Sequence, residues 1–96
     1  MKINFNTEIK LITGESLNPI MTLKDCTMNI LLSLFDDESK IPGEERAKRY
    51  VLATRIYANP EDIDLTVEEI SQIKTLIGKG YSPLVVGQAW NLLEGK

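Results

Sequence analysis

"TVEEISQIKTLIGKGYSPLVVGQAWNLLEG", residues 66–95, decides the fold, and its centre, Gly78-Lys79-Gly80-Tyr81-Ser82, is where two readings part. Glycine and lysine ahead of an apolar helix are the ingredients of a phosphate-cradling loop. A P-loop, however, needs G-x-x-x-x-G-K-[ST] between a strand and a helix. Here Gly80 follows Lys79 where Ser or Thr is required, Ile73 stands where the first glycine belongs, and the preceding segment has helical spacing. The alternative is a turn between two helices. Thr66 and Glu69 form a T-x-x-E capping box. Val67, Ile70, Ile73, Leu76 and Ile77 then supply one apolar face at 3–4 spacing. Gly78 and Gly80 read as helix terminators, Ser82 as an N-cap and Pro83 as a first helical residue, opening a last helix over 84–93.

Upstream, "GEERAKRYVLATRIY" (43–57) predicts a helix from Pro42 to about Ala58, with Glu44 and Glu45 in its first turn, where carboxylates suit the dipole. Its inward stripe is expected to be Ala47, Tyr50, Val51, Thr54 and Tyr57. Asn59, pushed out of the α region by Pro60, ends it. "TLKDCTMNILLSLFDDE" (22–38) predicts another helix, capped by Thr22 with Asp25 and apolar along Leu23, Cys26, Thr27, Ile30, Leu31 and Leu34. Met28, Leu32 and Phe35 give it a second apolar face, as in a central or oligomeric helix. Residues 2–12 alternate as a half-buried strand does, and Leu17 to Met21 read as its return strand. The expected fold class is α+β, mainly α: one domain over residues 1–96, with a two-stranded hairpin (1–21) packed on a bundle of about four helices (22–94).

Composition narrows the function. Ninety-six residues make one small domain that buries roughly 60–65% of its unfolded surface, so oligomerisation is a reasonable way to bury more. The net charge is −3, where duplex binders usually carry a basic surplus. The single Cys26 cannot form an internal disulfide, and the absence of His removes the commonest general base and imidazole metal sites. No stretch has the length of a membrane span and "MKINFNTEIK" has no signal-peptide core, so the expectation is a soluble, intracellular chain.

Three clusters carry candidate chemistry. Glu61, Asp62, Asp64, Glu68 and Glu69 hint at an EF-hand, but Val67 and Ile73 occupy its obligatory Gly and Glu positions; complementing a helix N-terminus explains the charge. Arg46, Arg49, Tyr50, Arg55, Tyr57 and, further on, Lys79 are candidate contacts for an anionic ligand, since basic residues among aromatics bind nucleotides or single strands. Against that, Glu44–Lys48 and Glu45–Arg49 are spaced as neutralising i,i+4 pairs. Asp36 and Asp37 are paired carboxylates with no sign of a pocket to separate their pKa values, and no recognised motif marks a Ser–Lys nucleophile; a hydrolase using carboxylates and a divalent metal is the third, least favoured reading. No catalytic residue, metal site or cofactor is expected. The last helix is apolar over much of its circumference, with Gly87 in its interior and Trp90 as a possible anchor; a close helix approach would explain Gly87. Met28, Leu32, Phe35, Val86, Gly87 and Trp90 are therefore the candidate interface.

The succession "MTLKDC…NILL", "GEERAKRYVLATRIY" and "DLTVEEISQIKTLIGKGYSPLVVGQAWNLLEG" resembles a group of small uncharacterised proteins encoded by tailed bacteriophages and prophages, most clearly in the last third. The resemblance implies a viral or prophage origin and a bacterial host cytoplasm, and transfers no site residue. It favours a non-enzymatic accessory protein that binds itself, a host protein or a phage protein. The alternative is a small nucleotide- or nucleic-acid-sequestering protein.

Overall fold

The structure, a computed structural model, describes residues 2–33 and 41–95. Along the chain run β1 (Lys2–Ile3), β2 (Glu8–Lys10), β3 (Ser16–Thr22), α1 (Leu23–Leu31), α2 (Gly43–Ala58), β4 (Ile63–Asp64), α3 (Val67–Gly80) and α4 (Pro83–Leu93). The architecture is the expected mainly helical α+β fold, with an N-terminal hairpin on four helices. Leu34, Phe35, Asp36 and Asp37, named above as face, interface and carboxylate residues, lie outside the described residues.

The strand predicted over residues 2–12 is two strands with different partners. The Asn4 side chain accepts from Asn6 N–H at 2.9 Å and the Asn4 carbonyl accepts from Thr7 Oγ1 at 2.9 Å. Such local Asx chemistry turns the chain out of the ladder. β1 therefore pairs antiparallel with β4, Ile3 opposite Ile63, and an exposed Lys2–Asp62 ion pair lies alongside at 3.6 Å. β2 pairs with β3 as expected of the hairpin, Ile9 opposite Met21, but the register then jumps so that Lys10 faces Ser16 and residues 17–20 bulge from β3. Gly14 closes the intervening turn at φ +91°, a conformation glycine adopts without a Cβ clash.

Both capping boxes form. Thr22 Oγ1 accepts from Asp25 N–H at 3.2 Å while Asp25 accepts from Thr22 N–H at 3.0 Å; Thr66 and Glu69 do the same at 3.1 and 2.9 Å. Glu69 also holds Arg55, at 2.7 Å. Burial pushes the Glu69 carboxyl up, but the Thr66 backbone N–H and the Arg55 guanidinium outweigh it and leave it below the usual carboxylate range. A depressed folded value adds stability above the unfolded pKa of about 4.3 and loses it as pH falls through the folded value. Glu69→Gln should accordingly flatten the acid limb of the stability–pH curve, read by urea unfolding at a series of pH values; an unchanged limb refutes this.

α1 packs between α2 and α3, and α3 packs on α4. The main core joins Ile3, Phe5, Leu23, Ile30, Leu52, Ile56, Ile73, Ile77 and Leu93 across all four helices and β1. A smaller cluster, Ile9, Cys26 and Val85, seats the hairpin on α1 and α4. The buried positions of α1 are the expected Leu23, Cys26, Thr27, Ile30 and Leu31. On α3 the expected Ile70, Ile73, Leu76 and Ile77 are buried, while Val67 in the first turn is exposed. Nor do the glycines end α3 through a left-handed turn: the helix runs through Gly78 and Gly80 and stops at Tyr81, whose backbone is extended.

α2 departs most from expectation. Its buried residues are Arg49, Leu52, Ala53 and Ile56. The stripe expected inside, Ala47, Tyr50, Val51, Thr54 and Tyr57, is exposed, with Tyr50 at 62%, Val51 at 55% and Tyr57 at 68% of full accessibility. The two stripes are offset by two residues, about 200° of helical rotation, so they are opposite faces.

Candidate functional surface

Trp90 is engaged by its own chain. Its indole Nε1–H donates to the Lys74 carbonyl at 3.0 Å, and Lys74 Nζ lies 4.8 Å from the ring centroid while pairing with Glu94 at 2.6 Å. Gly78 lies against the ring: a Cβ there would come within 3.5 Å of Trp90 Cζ2. That is ordinary van der Waals contact, so the glycine read as a helix terminator lies in the middle of the α3–α4 packing. Val86 and Met28 are half-buried against the main core. Leu32, 60% exposed, sits with Leu31, Ser33, Arg46 and Arg49 around a shallow depression, whereas Met28 lines a different groove with Pro19 and Ile20. Among the described candidate interface residues, Met28 and Leu32 line different depressions and Trp90 packs on α3.

A Cβ built on Gly87 meets nothing within 4 Å, so the helix approach expected there is not made within the described chain. Alanine would fit and lower the cost of ordering the backbone. Gly87→Ala should therefore raise stability by roughly 0.5–1 kcal/mol in thermal or urea unfolding. A loss of stability would contradict the open space.

The basic and aromatic candidates diverge. Arg55 is held by Glu69 and reaches the Asp64 carbonyl at 3.5 Å. Arg49 is buried; with Lys79 it lines a groove between α2 and α3 that also holds Glu45 and Glu68. Glu45 accepts from Gln72 there at 3.2 Å. Arg46 shares with Arg49 the depression beside Leu32. Tyr50 and Tyr57 stand exposed about a quarter-turn of α2 away from the buried Arg49, Tyr57 with Lys24 Nζ 5.1 Å from its ring. The Glu44–Lys48 pair spans 4.0 Å at high exposure. Wherever two basic residues share a groove with carboxylates, the local charge cancels and an anion gains little.

Two polar arrangements escaped the sequence reading because their partners are remote in the chain. The Gln88 side-chain amide takes both backbone groups of Lys10: Oε1 accepts from its N–H at 2.9 Å and Nε2 donates to its carbonyl. One side chain on α4 thereby satisfies β2 where the hairpin register jumps. Asn29 Nδ2 donates to Tyr81 Oη at 2.9 Å, and the same hydroxyl contacts the Cys26 thiol. Burial pushes the Cys26 thiol up to about 11, only partly offset by that contact. The thiolate is the reactive form. Cys26 in the folded chain should therefore react with a thiol reagent more slowly than a free cysteine, with a rate still climbing as pH approaches 11; a fast reaction at neutral pH would contradict its burial.

Among the described residues no three His, Cys, Asp or Glu side chains are placed to hold a metal ion, and no helix is long and apolar enough to cross a membrane. Compared with known protein families, curated proteins and solved structures, the chain matches none. What remains conspicuous on the surface is the outer side of α2, where Tyr50 and Val51 at mid-helix and Tyr57 near its end stand in solvent.

Proposed function

We propose that this chain is a non-enzymatic binding protein that works by protein–protein contact through the outer face of α2. The carrying observation is the exposure of Tyr50, Val51 and Tyr57 on the solvent side of α2. A surface helix ordinarily turns charged residues outward, and tyrosine is enriched in contact surfaces because it is large, rigid and amphipathic. The phage or prophage setting, and with it a host cytoplasm, is supported by the sequence resemblance. The contact surface differs from the α1–α4 set expected from sequence, because Trp90 has its polar group satisfied at home and Gly87 faces open space.

The test is site-directed photo-crosslinking in bacterial cells, with a benzophenone amino acid replacing Val51 or, as the control, Val67. Both positions are exposed. Discrete adducts from position 51 alone, lost on adding Tyr50→Ser and Tyr57→Ser, support the proposal. Adducts from neither position, or the same adducts from both, overturn it.

The second reading, an anionic ligand, is supported by the depression lined by Leu31, Leu32, Ser33, Arg46 and Arg49, which has no carboxylate among its described lining residues. Both arginines already make contacts within the chain. Salt-sensitive binding of a labelled oligonucleotide, weakened by Arg46→Ala, would favour it.

A further inference from the structure

We infer that the occupant of the α2 outer face is α2 of a second copy of this chain, laid antiparallel. The inference rests on the reading of that face as a contact surface. Ala47, Val51, Thr54 and Ala58 are spaced four, three and four apart, the spacing of a helix–helix seam, and all four are exposed. Their side chains are small enough to let two helix axes approach to about 8–10 Å. Tyr50 and Tyr57 flank the seam on one side, Lys48 and Arg55 on the other. The core-facing residues Arg49, Leu52, Ala53 and Ile56 lie opposite, so pairing along this seam leaves the fold undisturbed.

Charge sets both the partner and its direction. Glu44 stands seven residues before Val51 on the same seam and is exposed. A parallel pair would set Glu44 against Glu44 and align two helix dipoles, both unfavourable. An antiparallel pair about a two-fold axis between Val51 and Thr54 sends the two Glu44 side chains to opposite ends. It sets Ala47 against Ala58 and Val51 against Thr54 of the second copy. It carries Lys48 toward Arg55 of the second copy, whose charge Glu69 already offsets within its own chain. Tyr50 is brought toward Tyr57 of the second copy, and the two-fold repeats the contact. One patch is thus complementary to itself, as an isologous interface requires.

The area sets the strength. Two tyrosines exposed to this degree offer roughly 200–300 Å² per copy. With the seam residues the total buried by two copies comes to about 1,000 Å², the lower bound for a specific interface. The dimer is therefore weak and reversible, and a folded monomer exists beside it.

Light scattering after size exclusion, over a wide concentration range, should show the mass climbing from monomer toward dimer. Tyr50→Ser combined with Tyr57→Ser should raise the dissociation constant by at least about tenfold while far-ultraviolet circular dichroism stays unchanged. Direction is read by disulfide trapping with the buried Cys26 left in place. Ala47→Cys mixed with Ala58→Cys should cross-link to each other faster than either does to itself. Preferential self-linking of Ala47→Cys would mean a parallel pair and overturn the inference. A strict monomer at all concentrations would overturn it as well. If that monomer still gives adducts from position 51 in cells, the contact surface stands and the second copy is excluded; with no adducts either, both proposals fall.

Discussion

Ile56→Ala is expected to cost about 2–4 kcal/mol of stability, while Tyr57→Ala, one residue along, changes it by less than about 0.5 kcal/mol. Ile56 is fully buried in the main core, so truncation removes its transfer free energy and leaves a cavity between α2 and its neighbours. Tyr57 is 68% exposed and its recorded ring contact is with Lys24, itself held to α1 by a flexible stem. The same contrast should hold between Leu52, 4% exposed, and Val51, 55% exposed. For a domain with about 5–10 kcal/mol in total, the first member of each pair is severely damaged and the second is not. Urea unfolding with linear extrapolation measures all four. If the ordering were reversed, α2 would present the stripe of Tyr50, Val51 and Tyr57 to the core, and both the dimer and the contact surface would go with it.

That contrast also shows where sequence patterning stops. α1 and α3 each bury an apolar stripe behind a capping box; the bounds of α3 were legible to within a residue or two, whereas α1 stops at Leu31 although its apolar pattern runs on to Leu34. α2 carries two apolar stripes. The stripe through Leu52, Ala53 and Ile56 begins with Arg49, a charged residue that breaks the pattern, whereas the stripe through Ala47, Tyr50, Val51, Thr54 and Tyr57 carries no charge. Periodicity chose the cleaner pattern. Burial followed the one whose aliphatic residues pack against Leu31 and Ile30, since branched aliphatics give up less when dehydrated than a tyrosine whose hydroxyl needs a partner. α2 thus carries an exposed apolar face of its own, in addition to the α1 face on which Met28 is half-buried and Leu32 exposed.

Local chemistry was legible elsewhere and remote pairing was not. The hairpin, both caps and the Ser82–Pro83 helix start follow from residues within a few positions of one another. β4 is two residues long and has no period to read; it exists because Ile3 needs a partner. Gln88 holding Lys10, and Trp90 holding Lys74, are contacts across 78 and 16 residues that no spacing rule reaches. For the candidate surface, the sequence supplied the tyrosines and arginines but not their sides of the helix, and the side is what separates a core residue from a contact residue.

The most damaging single substitution is expected to be Phe5→Ala. Phe5 is fully buried and contributes to the core between β1, the start of α1 and β4. Its backbone joins the segment ahead of β4 to the start of α1: its N–H donates to the Pro60 carbonyl at 2.6 Å, and its carbonyl accepts from Lys24 N–H at 2.7 Å. The β1–β4 sheet has only two residues in each strand, too few to persist without side-chain anchorage. Removing the ring should cost about 3–5 kcal/mol, the range for a buried phenylalanine cut to alanine. At roughly 4–8 °C per kcal/mol for a domain of this size, the melting temperature should fall by about 15–30 °C. Phe5→Leu keeps most of the volume and should lose less than half as much. Ile12→Ala, at a position 94% exposed, should lose almost nothing despite removing a comparable aliphatic area from the chain. The three variants together separate burial from hydrophobicity, because Ile12 is as apolar as a core residue and differs only in where the turn puts it. A loss below about 1 kcal/mol for Phe5→Ala would mean that the first seven residues are not part of the folded unit. The helices would then have to close their core without β1.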